Sequence, residues 1–138
     1  MPITIEELRK RLRNVQKETI PRVEEAMQTA MNPIVAGAKR DCTPGQSRYY
    51  RAPYSDDDDP GRQPPHMRDT IEGHVITEKN VVSGIVGTWK DYAIYVHEGT
   101  QKMPPRPFLL DNIIDNRDNT LEVLSEALGE LIQEQTTE

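Results

Sequence analysis

The stretch that decides the fold runs from Tyr92 to Leu110 and reads YAIYVHEGTQKMPPRPFLL. Its beginning is rich in Tyr, Ile and Val, the residue types that fit a pleated sheet, so a strand is predicted over Tyr92–His97. Because side chains alternate along a strand, its two faces would carry Tyr92, Ile94 and Val96 on one side and Ala93 and Tyr95 on the other.

A glycine and three prolines follow this predicted strand. Gly99 allows the chain to leave sharply, where a side chain would obstruct the turn. The prolines are expected to hold residues 99–107 as an extended arm at little entropic cost. Phe108 and Leu109 then seat a last helix against the sheet. Arg106 stands between two prolines, so we expect its guanidinium to reach a carboxylate on its own or an adjacent subunit.

Two further strands are predicted upstream, over residues 70–77 and 81–88. The residues Glu78-Lys79-Asn80 should close a hairpin between them, because asparagine tolerates a positive φ. With Tyr92–His97, the region 68–98 is predicted to form an antiparallel sheet of three to four strands.

Helical periodicity occupies both ends of the chain. Apolar residues recur three and four positions apart at Ile5, Leu8, Leu12 and Val15. Thr4 and Glu7 form a capping-box pattern at the start. Pro21 and Pro33 interrupt the pattern, so region 4–41 is predicted as one bent helix or two abutting helices.

The C-terminal region 108–134 is also predicted to be helical, and a polar dip at 116–119 can split it. Together the elements predict one α+β domain over residues 1–138, in the order kinked helix, long loop, small antiparallel sheet, helix.

The predicted long loop covers residues 43–66 and is rich in proline and glycine. Its aromatic and basic side chains are typical interface anchors, which makes it a candidate partner-docking loop. The candidate interface residues in this loop are Tyr49, Tyr50, Arg51, Tyr54, Asp56, Asp57, Asp58 and Asp59. Arg106, in the proline-rich arm, is a further candidate. The four aspartates are interpreted as a solvated, self-repelling loop tip, and alternatively as a surface exposed to a partner or to DNA.

Composition narrows the function classes. The net charge of −6 and the pI near 5.1 argue against wrapping nucleic acid through phosphate contacts. An acidic surface can still line a passage through which DNA slides. Cys42 is the single cysteine, so no internal disulfide can form. No signal peptide or long apolar run is evident, and we expect an intracellular protein that does not enter a membrane.

Catalytic and metal-binding patterns are not apparent. The histidines are His66, His74 and His97, and none lies in a zinc-protease motif. No Ser-His-Asp order or Gly-rich phosphate loop can be assembled. We expect a protein that is not an enzyme and needs no cofactor or metal; a small hydrolase using His97 and Glu98 is the distant alternative.

The succession of Y-A, G-T and R-P-F-L in Tyr92–Leu109 resembles the signature of the head–tail joining, or tail-completion, family of long-tailed bacteriophages. A second match is Met67-Arg68-Asp69-Thr70-Ile71, which is similar to the family's motif at the start of the first strand. The matching positions are Arg68, Tyr92, Ala93, Val96, Glu98, Gly99, Thr100, Pro105, Arg106, Pro107, Phe108 and Leu109. The chain departs from the family at Pro64-Pro65, where a Thr-Gly is usual, and in the expanded loop before it.

The resemblance implies a structural protein of the virion, assembled in the cytoplasm of the infected bacterium. It implies a closed ring of six or twelve copies at the neck, between the portal side and the tail-tube side. Genomic DNA would pass through the lumen without sequence-specific binding. A tail terminator that caps the tail tube is the close alternative. The loop 43–66 is expected to contact a neighbouring subunit or line the channel.

Overall fold

The computed structural model describes residues 2–43, 45–50 and 66–136. Its elements are α1 (Ile5–Asp41), a 3₁₀ turn (Met67–Thr70), β1 (Glu72–Glu78), β2 (Val81–Gly87), α2 (Ala93–Glu98), α3 (Phe108–Asp115) and α4 (Arg117–Thr136). The predicted mixture of a long N-terminal helix, an antiparallel sheet and a helical C-terminal region is confirmed. None of the helices in the described ranges combines the length and apolar content that a bilayer crossing needs.

Helix α1 is one continuous helix of 37 residues, about 55 Å long at 1.5 Å per residue. The hydroxyl of Thr4 accepts a hydrogen bond from the Glu7 amide at 3.1 Å, so the predicted N-terminal cap is present. Pro21 and Pro33 lie inside the helix. Of the two predicted possibilities, the single helix is therefore the correct one.

Only the C-terminal half of α1 is buried. The side chains it buries are mostly small: Ala26, Ala30, Met31, Ile34, Gly37, Ala38 and Asp41. Small side chains let neighbouring elements approach the helix axis closely. The core of the molecule therefore surrounds this half, and its central buried cluster consists of Ala38, Cys42, Met67, Ile71, Ala93, Val96 and Phe108.

Strands β1 and β2 pair as an antiparallel hairpin, with Glu78 opposite Val81 at the turn. Lys79 and Asn80 both have positive φ, 48° and 67°, as a two-residue type I′ turn requires. The predicted hairpin is confirmed, with strand ends shifted by one or two residues. On its inner face, a Cβ at Gly84 would lie 2.8 Å from the Met31 sulfur, so glycine lets the hairpin press onto α1.

The predicted third strand is wrong. Within the described ranges the sheet has two strands instead of three to four, and the residues assigned to the third strand form helix α2. Ala93 and Val96 are buried, three positions apart, whereas Ile94 is 63% exposed. This spacing matches one helical face, and a run of six residues is too short for strand propensity to outweigh it.

The C-terminal helical region is split at Asn116, inside the predicted polar dip. Helix α4 runs antiparallel to α1. Near its end, Glu134 bonds Arg22 at 2.5 Å and the Gln135 side chain accepts from Asn14 at 3.3 Å. Residues 5–13 of α1 therefore project beyond the end of α4.

Candidate functional site

Helix α2 and the segment that follows it form a compact joint, not an extended arm. Gly99 has φ 81°, and a Cβ there would lie 2.7 Å from the nitrogen of Pro105. Thr100 and Met103 then pair in a short bridge, with the Thr100 amide donating to the Met103 carbonyl at 2.8 Å. The predicted extended arm is thus incorrect, although the sharp exit at Gly99 is present.

The C-terminal end of this segment is also hydrogen-bonded to α2. The Arg106 amide donates to the Val96 carbonyl at 3.0 Å. Phe108, the first residue of α3, is fully buried in the central cluster. The sequence predicted that it seats the last helix against the sheet, whereas the buried members of this cluster all lie outside β1 and β2. The joint therefore sets the angle between α2 and α3 and places Phe108 against α1.

Arg106 is placed inward. It is 4% exposed, its guanidinium lies 5.6 Å from the centre of the Tyr50 ring, and one of its nitrogens lies 2.8 Å from the Met103 sulfur. A guanidinium over an aromatic face is favoured by the ring's quadrupole. Arg106 thus ties the joint to the start of the long loop.

His97 holds the start of α3. Its Nε2 accepts a hydrogen bond from the Leu110 amide at 3.3 Å, an N–H of the first turn that has no partner within the helix. Its Nδ1 therefore carries the proton and donates to Glu98 Oε1 at 2.7 Å. The ring also meets the edge of Phe108 with centroids 5.6 Å apart. Both ring nitrogens are thus engaged in positioning α3.

A buried polar cluster lies where α1 ends. Asp41 is 1% exposed and accepts from the Arg48 Nε at 2.9 Å and from the Asn112 side chain at 2.8 Å. Arg48 also reaches Asp115 at 2.6 Å. Gly37 makes room for the cluster, because a Cβ there would lie 2.0 Å from the Asn112 side-chain oxygen.

Sequence reasoning missed this cluster. Asp41 and Asn112 are 71 positions apart, and neither belongs to a recognisable motif. The available signal was Gly37, since glycine inside a helix weakens it and therefore indicates a close approach by another group.

Tyr49 also connects the residues after α1 to helix α3. Its hydroxyl donates to the Asp111 carboxylate at 2.7 Å. Burial, and then the bond to Asp111, raise the pKa of Tyr49 above its ordinary value. Tyr49 thus contacts α3 of its own chain, whereas Tyr50 is 67% exposed although Arg106 lies over its ring.

The remaining predicted interface residues, Arg51, Tyr54 and Asp56 to Asp59, lie outside the described residues. Of the second motif, Met67 and Ile71 are fully buried in the central cluster, and Arg68 is half-buried on the 3₁₀ turn. This motif therefore supplies core residues between the loop and β1.

Within residues 2–43, 45–50 and 66–136, two apolar surfaces stay uncovered. The first is the helix tip, residues 5–13, where Ile5, Leu8 and Leu12 share one face and are 70%, 45% and 59% exposed. The second is the apolar groove, a cavity of about 400 Å³ between α1, β2, α3 and α4. We define the groove by Met27, Met31, Ile34, Val86, Ile114 and Leu121.

The hydrogen bonds and ion pairs described above are suited to fixing the positions of helices and loops relative to one another. Among the described residues, no group of three or more His, Cys, Asp or Glu side chains is placed to hold a metal ion. The polar groups detailed above are paired with one another across element boundaries. Scans against protein-family models, curated proteins and solved structures find no match for this chain.

Proposed function

We propose that this protein is a structural component of the bacteriophage neck, where copies of it form a ring of six or twelve that joins the DNA-filled head to the tail. Genomic DNA would pass through the ring's lumen on its way out. The proposal begins from the resemblance of Tyr92–Leu109 to the tail-completion signature.

The observation that carries the proposal is the pair of uncovered apolar surfaces. The helix tip and the apolar groove both expose large aliphatic side chains, and a soluble single chain rarely leaves such side chains grouped together. Burying a leucine or isoleucine contributes roughly 1.5–3 kcal/mol, so contact with another subunit would stabilise both surfaces. A protein built this way is suited to assembly.

The joint around Gly99 supports the same role. It fixes α2, the short bridge and α3 to the buried half of α1 through Phe108 and the Arg106 amide. A ring closes only if every copy presents its contact surfaces at the same angle. Signature residues that set the angle between elements therefore fit a ring subunit.

Deleting the gene from the phage that carries it tests the proposal directly. We expect electron micrographs of the lysate to show DNA-filled heads and separate tails of normal length, and the unaltered gene supplied from a plasmid should restore joined particles. Tails of abnormal length would instead identify a terminator of the tail tube. Joined, infectious particles in the absence of the protein would refute both structural roles.

A second measurement examines the ring itself. The purified chain has a mass of 15.8 kDa, so native mass spectrometry should find a species six or twelve times heavier. A protein that stays a single chain at the concentration of an infected cell would contradict the proposed ring.

A further inference from the structure

We infer that the helix tip of one copy docks in an acidic groove of the next copy, which makes a head-to-tail contact between subunits. The inference names the contact that would close the proposed ring, and it rests on that function only for the statement that copies associate. We define the acidic groove by six of the residues that line it on α1 and α4: Glu25, Ala26, Val123, Glu126, Ala127 and Glu130.

The acidic groove is a cavity of about 500 Å³ between α1 and α4, and it shares no lining residue with the apolar groove. Its apolar part consists of Ala26, which is buried, and of Val123 and Ala127, which are half-buried. Small side chains between two helices let a third helix approach both axes closely. This floor can therefore receive the larger aliphatic side chains of another helix.

Carboxylates stand at the groove itself. Glu25 lies on its α1 side and Glu126 and Glu130 on its α4 side, and all three are exposed. None of the three forms an ion pair with another described residue. Arg22, which also lines the groove, is already bonded to Glu134 at 2.5 Å. The groove thus offers three carboxylates to a basic partner.

The helix tip carries the complementary charge beside its apolar stripe. Arg9 lies four positions after Ile5 and Arg13 four positions after Arg9, so the two arginines follow one edge of the stripe. Both are exposed, and neither forms an ion pair with a described residue. Glu126 and Glu130 are also four positions apart, so each pair of charges is spaced by about 6 Å along its helix. Two cations can therefore meet two carboxylates while the stripe lies on the floor.

The lengths of the two surfaces agree as well. The apolar stripe spans seven positions, from Ile5 to Leu12, and so does the α4 side of the groove, from Val123 to Glu130. Each measures about 10 Å. The tip is already helical, because the Thr4 hydroxyl caps it. A preformed helix loses little conformational entropy when it docks in a groove.

A chain cannot place its own tip in its own acidic groove. Leu8 and Ala26 are 18 positions apart on one continuous helix, which separates them by roughly 27 Å. Two tips laid against each other would bring their arginines together, and like charges disfavour that pairing. The tip of one copy and the groove of another are the surfaces that match in charge and length. Contact between unlike surfaces is the heterologous kind that generates rings.

A charge exchange read by native mass spectrometry tests the contact. Arg9→Glu/Arg13→Glu should shift the mass from the ring to the single chain of 15.8 kDa, because carboxylates would then face carboxylates. Glu126→Arg/Glu130→Arg should do the same from the other side. The variant with all four changes should form the ring again, since opposite charges face one another once more.

Two matched controls separate the contact from a change in net charge. Lys10→Glu/Lys17→Glu alters the tip helix by the same charge at exposed positions opposite the stripe, and the ring should persist. Asp118→Arg/Glu122→Arg alters exposed positions of α4 that do not line the groove. Combined with Arg9→Glu/Arg13→Glu, it should leave a single chain. Circular dichroism spectra that superimpose on that of the unaltered protein would show that the variants are folded.

The outcomes distinguish this contact from the neck role. A ring that survives both reversals, or a fourfold variant that stays a single chain, overturns the contact and leaves the neck role standing. Equal restoration by the Asp118 and Glu122 changes also overturns it, because net charge alone would then explain assembly. An unaltered protein that is a single chain overturns both the contact and the ring. Restoration by the groove changes alone, in a phage whose heads and tails join without the gene, supports the contact and refutes the neck role.

Discussion

The two ends of α1 are opposites. Toward its C-terminus the helix buries small side chains, and Ala30 and Ala38 are completely inaccessible to solvent. Toward its N-terminus it carries larger side chains at the same helical spacing, yet Ile5 is 70% and Leu12 is 59% exposed. One helix thus contains a C-terminal half that is buried within the chain and an N-terminal tip, residues 5–13, that is apolar without being packed.

The difference teaches how each half gains stability. Around the buried half, Gly37, Gly73 and Gly84 let α3 and the hairpin come within van der Waals contact of the helix. Stability there comes from close packing within one chain. The helix tip has side chains too large for that role and no element folded over them in the described structure. No described element of the chain buries its apolar stripe, so association with another subunit would stabilise it.

The largest loss in the free energy of unfolding should come from Phe108→Ala. Phe108 is fully buried in the central cluster that also contains Ala38 and Cys42, so its removal leaves a cavity beside the buried half of α1. We expect a loss of about 3–5 kcal/mol in the free energy of unfolding, measured by urea denaturation followed by circular dichroism.

Leu8→Ala is its counterpart at the helix tip. In a protein diluted until it is a single chain, this change should alter the free energy of unfolding by less than about 0.5 kcal/mol. Equal losses in the two variants would mean that the helix tip is packed within its own chain, and the contrast between the tip and the buried half would fail.

Asp41→Ala should have the next largest effect. It leaves the side chain of Asn112 and the guanidinium of Arg48 without their shared acceptor at the end of the buried half. Since the Arg48 side chain is one-third exposed and water can partly replace the carboxylate, we expect a loss of about 2–3 kcal/mol. Lys39→Ala, at an exposed position in the same turn, is the control and should be near neutral. A neutral Asp41→Ala would show that the cluster adds nothing to the packing of this half.

Gly99→Ala and Gly129→Ala should have opposite signs. Gly99 has positive φ and no room for a Cβ, so alanine should cost roughly 1–3 kcal/mol and loosen the joint that places Phe108. Gly129 lies within α4 with nothing near its missing side chain, so alanine there should stabilise by about 0.5–1 kcal/mol. Thermal unfolding of both variants checks the signs, and a stabilised Gly99→Ala would contradict the strained exit.

Local signals in the sequence predicted the local structure well. The Thr4 cap, the turn at Lys79-Asn80 and the break at Asn116 each depend on neighbours a few positions away, and all three are present. The prediction of a strand over Tyr92–His97 was wrong because it, too, was based on local sequence alone. A short run of Tyr, Ile and Val fits a strand, and only the packing of Ala93 and Val96 on the core makes it helical.

The candidate site was harder to predict because it depends on distant contacts. Nothing in the local sequence shows that Asp41 meets Asn112, or that Arg106 turns inward onto Tyr50. The exposed stripe of the helix tip looks the same in sequence as a buried one, since periodicity reveals an apolar face and says nothing about what covers it. The groove is assembled from four elements and has no sequence pattern of its own.

The last prediction concerns pH and the residue just after α1, Cys42. Burial, and then the neighbouring Asp41 carboxylate, raise the pKa of this thiol from 9.0 to about 12. The unfolded chain therefore loses the Cys42 proton from about pH 9, whereas the folded chain keeps it until about pH 12. The stability that depends on a neutral thiol is fully present below pH 9 and is lost as the pH rises toward 12. The free energy of unfolding should be measured at about pH 8 and about pH 10.5. Its fall between these two values should be smaller in Cys42→Ala than in the unaltered protein. Some fall should remain in Cys42→Ala, because the pKa of Tyr49 is also raised. Leu8→Ala should leave the slope unchanged because the helix tip has no buried titrating group, and equal slopes in Cys42→Ala and the unaltered protein would contradict the burial of the thiol beside the packed half.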